Sequence, residues 1–196
     1  MKTRLLLLAA ALPLAGCISF GAKPPPSLLT LEEAAMPAVG KVENSANARS
    51  IVIQVPTTPA AIAVTRVPVE ETPTSLAYVK NAQWAEPPAR LFARLLSDTV
   101  SARSNMVVLS SVQSIGDPSA TLTGELRNFG LDAAARQAVV TYDAALTRAG
   151  KETVEKRRFE ARVPVTAIDP ANAGTALGQA ANQVGVEVAA WVASPN

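Results

Sequence analysis

A single cysteine, Cys17, and the complete absence of histidine constrain this 196-residue chain more than any other feature of its sequence. No intramolecular disulfide can form, no imidazole can hold zinc, and neither a Ser-His-Asp triad nor a Cys-His pair can be assembled. Whatever fold the sequence adopts is therefore held by packing. The material for it is present: 48% of the residues are hydrophobic and 17% are charged, which suits one domain with a real core and not a disordered tail.

The position of Cys17 matters as much as its solitude. Residues 1–16 open with Lys2 and Arg4, continue through an apolar run from Leu5 to Leu14, and end in small residues. The apolar run is about half the roughly twenty residues that a bilayer-crossing helix needs, so 1–16 reads as a secretory signal peptide that is removed. Leu14, Ala15, Gly16 and Cys17 form a lipobox, the pattern at which a bacterial thiol receives diacylglycerol, the leader is cut and the new amino terminus is acylated. Several acyl chains hold a protein stably, at about 0.8 kcal/mol per buried CH₂. Ile18 stands where an aspartate is missing, and the resemblance to Gram-negative lipoproteins then implies sorting to the periplasmic leaflet of the outer membrane. Without Lys2 and Arg4 the chain's formal charge of +2 falls to zero, and no nucleic-acid partner is expected.

Residues 17–27 include Pro24, Pro25 and Pro26 and read as an extended tether spanning on the order of 30 Å. The domain proper is expected over 28–196. Its first elements are a short strand at Leu28–Leu31, a mobile polar loop, and strands at Ser50–Val55, Ile62–Val69 and Thr74–Val79. Pro87 and Pro88 open a helix that runs to about Arg103, with Leu91, Leu95, Leu96 and Val100 on one face. A short strand at Asn105–Ser110 is followed by three longer ones, Ala120–Phe129, Ala138–Thr147 and Thr153–Thr166. The last carries a run of mixed charge expected as a solvated face or a guarded edge. Asp169 caps a final helix whose stripe is Leu177, Ala181, Val184, Val188 and Trp191. The sum is an α/β (α+β) single domain, a mixed and largely antiparallel sheet of six or seven strands with two long helices packed on it.

Chemistry is hard to find. The sequence has no phosphate-binding glycine loop, nucleophile elbow or metal-spaced carboxylate cluster. The neighbouring pairs Glu32-Glu33 and Glu70-Glu71 point to opposite faces in extended chain. No enzyme activity, catalytic residue, metal or cofactor is expected beyond the covalent lipid on Cys17.

The order of these features resembles the ABC-type transport auxiliary lipoproteins, which include the paraquat-inducible protein C type. The elements that carry the resemblance are the lipobox, the proline tether, Gln54-Val55-Pro56, Leu76-Ala77-Tyr78, then Gln83-Trp84-Ala85-Glu86-Pro87-Pro88 before a helix, Leu126-Arg127-Asn128-Phe129 and the closing alanine-rich helix. The resemblance implies a non-enzymatic auxiliary subunit on the inner face of the outer membrane. Its partners would be an ATPase, a permease and a substrate-binding subunit of the mammalian-cell-entry (MCE) type, moving phospholipid or other apolar cargo between membranes. Tyr78 and Trp84 are the candidate docking residues, with the alternative that Trp84 fills a gap in the fold while Glu86 caps the following helix. The alanine-rich surface of 171–193 leaves homo-oligomerisation open. The competing reading is a structural outer-membrane lipoprotein that binds peptidoglycan or assists outer-membrane protein assembly.

Overall fold

The computed structural model describes Pro25 and residues 27–46, 48–110, 112–113 and 117–194; the lipobox and most of the tether lie outside these. The described chain forms β1 (Arg49–Ile53), β2 (Arg66–Thr72), β3 (Ser75–Gln83), α1 (Pro88–Arg103), β4 (Met106–Leu109), β5 (Ala120–Asp132), β6 (Gln137–Arg148), β7 (Val154–Pro164) and α2 (Pro170–Ala193). The result is one mixed seven-stranded sheet with two helices, the α/β architecture that the sequence patterns imply.

β5 is the axis of the sheet. One edge pairs antiparallel with β6 along its whole length, from Ala120↔Arg148 to Asp132↔Gln137, and β6 in turn pairs with β7. The other edge is divided. β1 runs parallel to its start at Ile51↔Ala120 to Ile53↔Leu122, and β2 runs parallel to its end at Val69↔Leu131 and Glu70↔Asp132. Between them Thr57 donates to the Gly124 carbonyl and accepts from the Leu126 amide, at 3.0 and 2.9 Å. β4 lies parallel outside β1, and β3 antiparallel outside β2.

Alternation decides which side of the sheet is covered. Leu122, Leu126 and Phe129 of β5, Val140, Tyr142 and Leu146 of β6, and Phe159 and Ala161 of β7 are buried, in the period of two that strands impose, except that an irregularity between Leu126 and Asn128 shifts β5 by one residue. α1 meets this face through Phe92, 5.3 Å centroid to centroid from Tyr142, and α2 through Trp191, 5.5 Å from Phe159. The Tyr142 ring needs Gly124 beside it. A Cβ there would stand 2.4 Å from the Asp143 carbonyl oxygen and 2.6 Å from the ring itself.

The two helices are built differently. α1 opens on Pro87 and Pro88, where the missing amides would be unpaired in any case. α2 is capped by Asp169, which accepts from the Asn172 amide at 2.9 Å. Its interior is rich in alanine and its last turn has no basic residue. The sheet supplies that charge instead: Arg49 of β1 donates to the Ala193 carbonyl at 2.7 Å and Arg148 of β6 to the Val192 carbonyl at 3.3 Å. Both guanidinium groups oppose the negative end of the helix dipole.

Three expectations for the first third of the chain need correction. Leu28–Leu31 is not a strand. Only Leu29 pairs, donating to the Gln83 carbonyl at 2.7 Å and accepting from Ala85 at 2.9 Å, because β3 gives way to Pro87-Pro88 and α1 immediately afterwards and offers no longer edge. The stretch from Ile62 is not strand throughout either. Pro59, with φ of −59°, starts a 3₁₀ turn over Ala60–Ile62, and β2 begins only at Arg66. The loop expected to be mobile is stitched across both helices. Asn182 of α2 accepts from the Ala34 amide and donates to the Glu32 carbonyl, at 2.8 and 2.9 Å. Farther along, Glu43 accepts from Ser101 of α1 at 2.9 Å and pairs with Lys41. This strap leads from the start of α2 toward the start of β1.

The strap places Glu33 near Asp98 of α1. Burial, and after it the charge of Glu33, raises the Asp98 carboxyl above its ordinary value, with Arg94 opposing more weakly. A carboxyl raised in the folded state opposes folding while ionised, and that penalty fades as pH falls through the raised value. Asp98→Asn should therefore raise the thermal midpoint at pH 7 and lose that advantage in acid; a gain independent of pH between 7 and 4 would contradict the assignment. In a second test, Gly124→Ala should cost about 1–3 kcal/mol in urea unfolding, as overpacking does. Gly178→Ala, where a Cβ meets nothing within 4 Å, should instead gain up to about 1 kcal/mol from helix propensity.

Candidate interaction surface

The residues around Tyr78, Trp84 and Glu86 lie at the junction of β3 with α1, and the pairing of β3 with β2 shows why. Arg66 faces Gln83 and Pro68 faces Tyr78, so Val79, Lys80, Asn81 and Ala82 stand against Val67 alone. This is a wide bulge. Val79 and Ala82 turn inward while Lys80 and Asn81 are exposed, and Asn81 takes φ of 60°, a left-handed conformation that asparagine tolerates better than most residues. Pro68 is accommodated within the sheet at this irregularity, where the regular ladder is already broken.

Tyr78 lies before the bulge, half-buried. Its hydroxyl donates to the Ala61 carbonyl at 3.3 Å, tying down the 3₁₀ turn, and the Arg66 guanidinium lies 3.7 Å above its ring. Trp84 lies after the bulge and is 1% exposed. Its indole meets Phe129 edge to face at 5.5 Å, and its amide donates to the Thr65 carbonyl at 2.7 Å. The indole thus presents no surface to a partner; the exposed groups here are Arg66, Lys80 and Asn81, beside the half-buried Tyr78 ring. Glu86 does not cap α1. Pro87 occupies the cap position without a side-chain hydrogen bond, and the Glu86 carboxylate is drawn to Arg94 at 2.6 Å.

The uncovered face of the sheet carries a ladder of ion pairs across β5, β6 and β7. Asp143 accepts from Arg158 Nε and Nη2 at 2.6 and 2.7 Å, with Arg127 Nε 3.7 Å away. Glu160 accepts from Arg162 and Thr141, both at 2.8 Å. Hydrogen bonds from Arg158 hold the Asp143 carboxyl below its ordinary value, and those from Arg162 and Thr141 do the same for Glu160. These carboxylates stay ionised and engaged at neutral pH, which suits neither a general acid nor a base. An open depression of about 500 Å³ lies beside this ladder, lined by Asp143, Ala145, Lys156 and Arg158 among others. Tyr142, whose hydroxyl donates to the Thr123 carbonyl at 2.9 Å, has its ionisation pushed up by burial and serves as a packing group. Among the described residues no three His, Cys, Asp or Glu side chains gather closely enough to hold a metal, and no helix is long and apolar enough to cross a membrane.

The chain joins the domain at this same junction. Leu29 bridges to Trp84 and packs its side chain on α2 at Gly174. The residues upstream, including Leu14, Ala15, Gly16 and Cys17, lie outside the described part. The sequence marks the bulge only by Lys80 and Asn81 interrupting an otherwise strand-like run.

A family model described as ABC-type transport auxiliary lipoprotein component matches residues 29–189. Two solved structures share the fold. One is protein XCC0632 from Xanthomonas campestris, described as belonging to family DUF330, at TM-score 0.70 and 19% identity, covering 85% of this chain and 94% of that one. The other is a crystal structure of an uncharacterized protein, at TM-score 0.65 and 19% identity, covering 74% and 92%. No curated protein matches the chain. The chain belongs to the ABC-type transport auxiliary lipoprotein component family.

If Trp84 supports the fold and Tyr78 ties only a surface turn, their variants should separate widely. Trp84→Ala is expected to cost about 3–5 kcal/mol, in line with large aromatic truncations. Tyr78→Phe should cost about 1 kcal/mol or less, the net worth of one hydrogen bond. Urea unfolding of both variants measures the difference, and equal costs would contradict these roles.

Proposed function

We propose that this auxiliary component of an ABC-type transport system acts without enzymatic activity, held by lipid on Cys17 to the periplasmic leaflet of the outer membrane. The leader 1–16 is removed, 17–27 form the tether, and the folded domain stands where apolar cargo crosses between membranes. Its partners in this reading are an ATPase, a permease and an MCE-type substrate-binding subunit, and phospholipid is the favoured cargo. The observation that carries the reading is the family match over residues 29–189 directly behind a lipobox at Leu14–Cys17.

The arrangement of the domain supports a scaffold more readily than a catalyst. The charged groups of the open sheet face neutralise one another, and the depressions are open and shallow. A receiving end fixed at one membrane needs a rigid body, an anchor and a face for its partner. The Tyr78–Arg66 stack and the exposed Lys80–Asn81 bulge are where we place contact with the transporter.

Tagged full-length protein purified in mild detergent from its native membranes should bring down an ATPase, a permease and a periplasmic binding subunit together. Cys17→Ser should abolish acylation and leave the protein out of the outer-membrane fraction. Recovery of only cell-wall or barrel-assembly components would overturn the transport role in favour of a structural lipoprotein.

A further inference from the structure

We infer that the pole of the domain at which the tether joins is seated on the phospholipid bilayer, so that α2 points away from the membrane. This rests on the reading of Cys17 as the lipid anchor, and adds to it an orientation and a contact surface.

The first observation is where the chain becomes fixed. Leu29 is bonded to Gln83 and Ala85 and packs against Gly174 in the second turn of α2. Only residues 18–28 separate that point from Cys17, a span of about 30–40 Å when fully extended and less when relaxed. The first turns of α2 are therefore the part of the domain through which the tether ties it to the anchored leaflet. α2 itself has 24 residues and runs about 36 Å along its axis, so with the near pole seated and the helix upright the opposite pole stands about that far from the membrane.

The second observation is what this pole exposes. Leu28, one residue before the fixed point, is 51% exposed, and Ile168, one residue before the α2 cap, is 43% exposed. Alongside Ile168 lies the β5–β6 turn, where Ala134, Ala135 and Arg136 are exposed and Arg136 donates to the Thr166 carbonyl. Leu76, also exposed, lies on the neighbouring hairpin, which is tied to this turn by the Ala133 amide donating to the Glu70 carbonyl at 2.9 Å. Branched aliphatic side chains beside an arginine suit the boundary between headgroups and acyl chains, where an apolar side chain enters and a guanidinium meets phosphate. Glu70 and Glu71 on the hairpin offset the basic charge, so the contact depends more on Leu28 and Ile168 than on net charge.

The test uses full-length lipidated protein reconstituted in vesicles of phosphatidylethanolamine and phosphatidylglycerol. Acylation blocks the thiol of Cys17, the only native cysteine, so one introduced cysteine carries the sole environment-sensitive fluorophore. Ile168→Cys and Leu28→Cys report on the near pole. Val154→Cys, 56% exposed and paired with Thr147 where β7 begins, reports on the far one. The inference expects blue-shifted emission, quenched by lipid-borne nitroxide, at 168 and 28, and solvent-like emission at 154. Solvent-like emission at all three positions, or quenching at 154 alone, would overturn it with the anchor intact. Failure of the anchor itself is distinguishable: the protein would not float with the vesicles and unmodified Cys17 would react with maleimide, and the orientation would fall with it.

Discussion

The two-sided pairing of β5 is the interaction on which the remaining structure depends. On one side it templates β6, and through β6 the edge strand β7. On the other it accepts a single stretch of chain, Arg49 to Thr72, that touches it at β1, leaves after Thr57 and returns at β2. Strands β3 and β4 have no pairing with β5 and hold their places only through β2 and β1. A long central strand of this kind concentrates non-local contacts, since β1 and β5 pair across most of the intervening chain. Such pairings form slowly because loop closure must precede them.

Packing above the sheet follows from the same economy. With no cysteine beyond Cys17 to form a disulfide and no metal-holding cluster among the described residues, the domain gains cohesion by close approach. The alanines of α2 let it lie near its neighbours, and at Gly185 a Cβ would come within 2.8 Å of the Leu95 side chain of α1. An alanine-rich helix buries little apolar area per residue, so this one is also held at its ends, by Asp169 at the start and by Arg49 and Arg148 at the finish. Its contacts thus join the first strand of the sheet, the central hairpin and the N-terminal strap into one body.

What was legible in the sequence was whatever periodicity encodes. α1 and α2 could be read from apolar spacing and from proline or aspartate at their starts, and β5, β6 and β7 from alternation, because in each case local preference and final burial agree. The charged run at Lys156–Arg158 and Glu160–Arg162 showed its exposed role for the same reason. What could not be read depends on partners distant in sequence. Nothing local tells Leu29 that it will find one bridge and not a strand edge, and the apolar alternation from Ile62 to Val69 hides a 3₁₀ turn that Pro59 begins and Tyr78 secures from across the sheet. The polar composition of the strap suggests a mobile loop, yet its bonds run to Asn182 and Ser101. The sequence around Trp84 is compatible with docking or with filling a gap, and its burial depends on Phe129, a residue of a strand far along the chain.

The strap also connects the fold to the proposed role. Force applied through the tether would first meet the two hydrogen bonds of Leu29, which belong to the edge of β3 beside the buried Trp84. Beyond them the load would pass to Asn182 and then to Ser101, one helix after the other. A lipid anchor attached to a loose N-terminal arm would let the domain wander. In the proposed role, one threaded across both helices would transmit load to the helical layer and, through Arg49, to the sheet. The segment that carries the proposed anchor would thus pass its load into both helices and the sheet, and the domain would answer as one body.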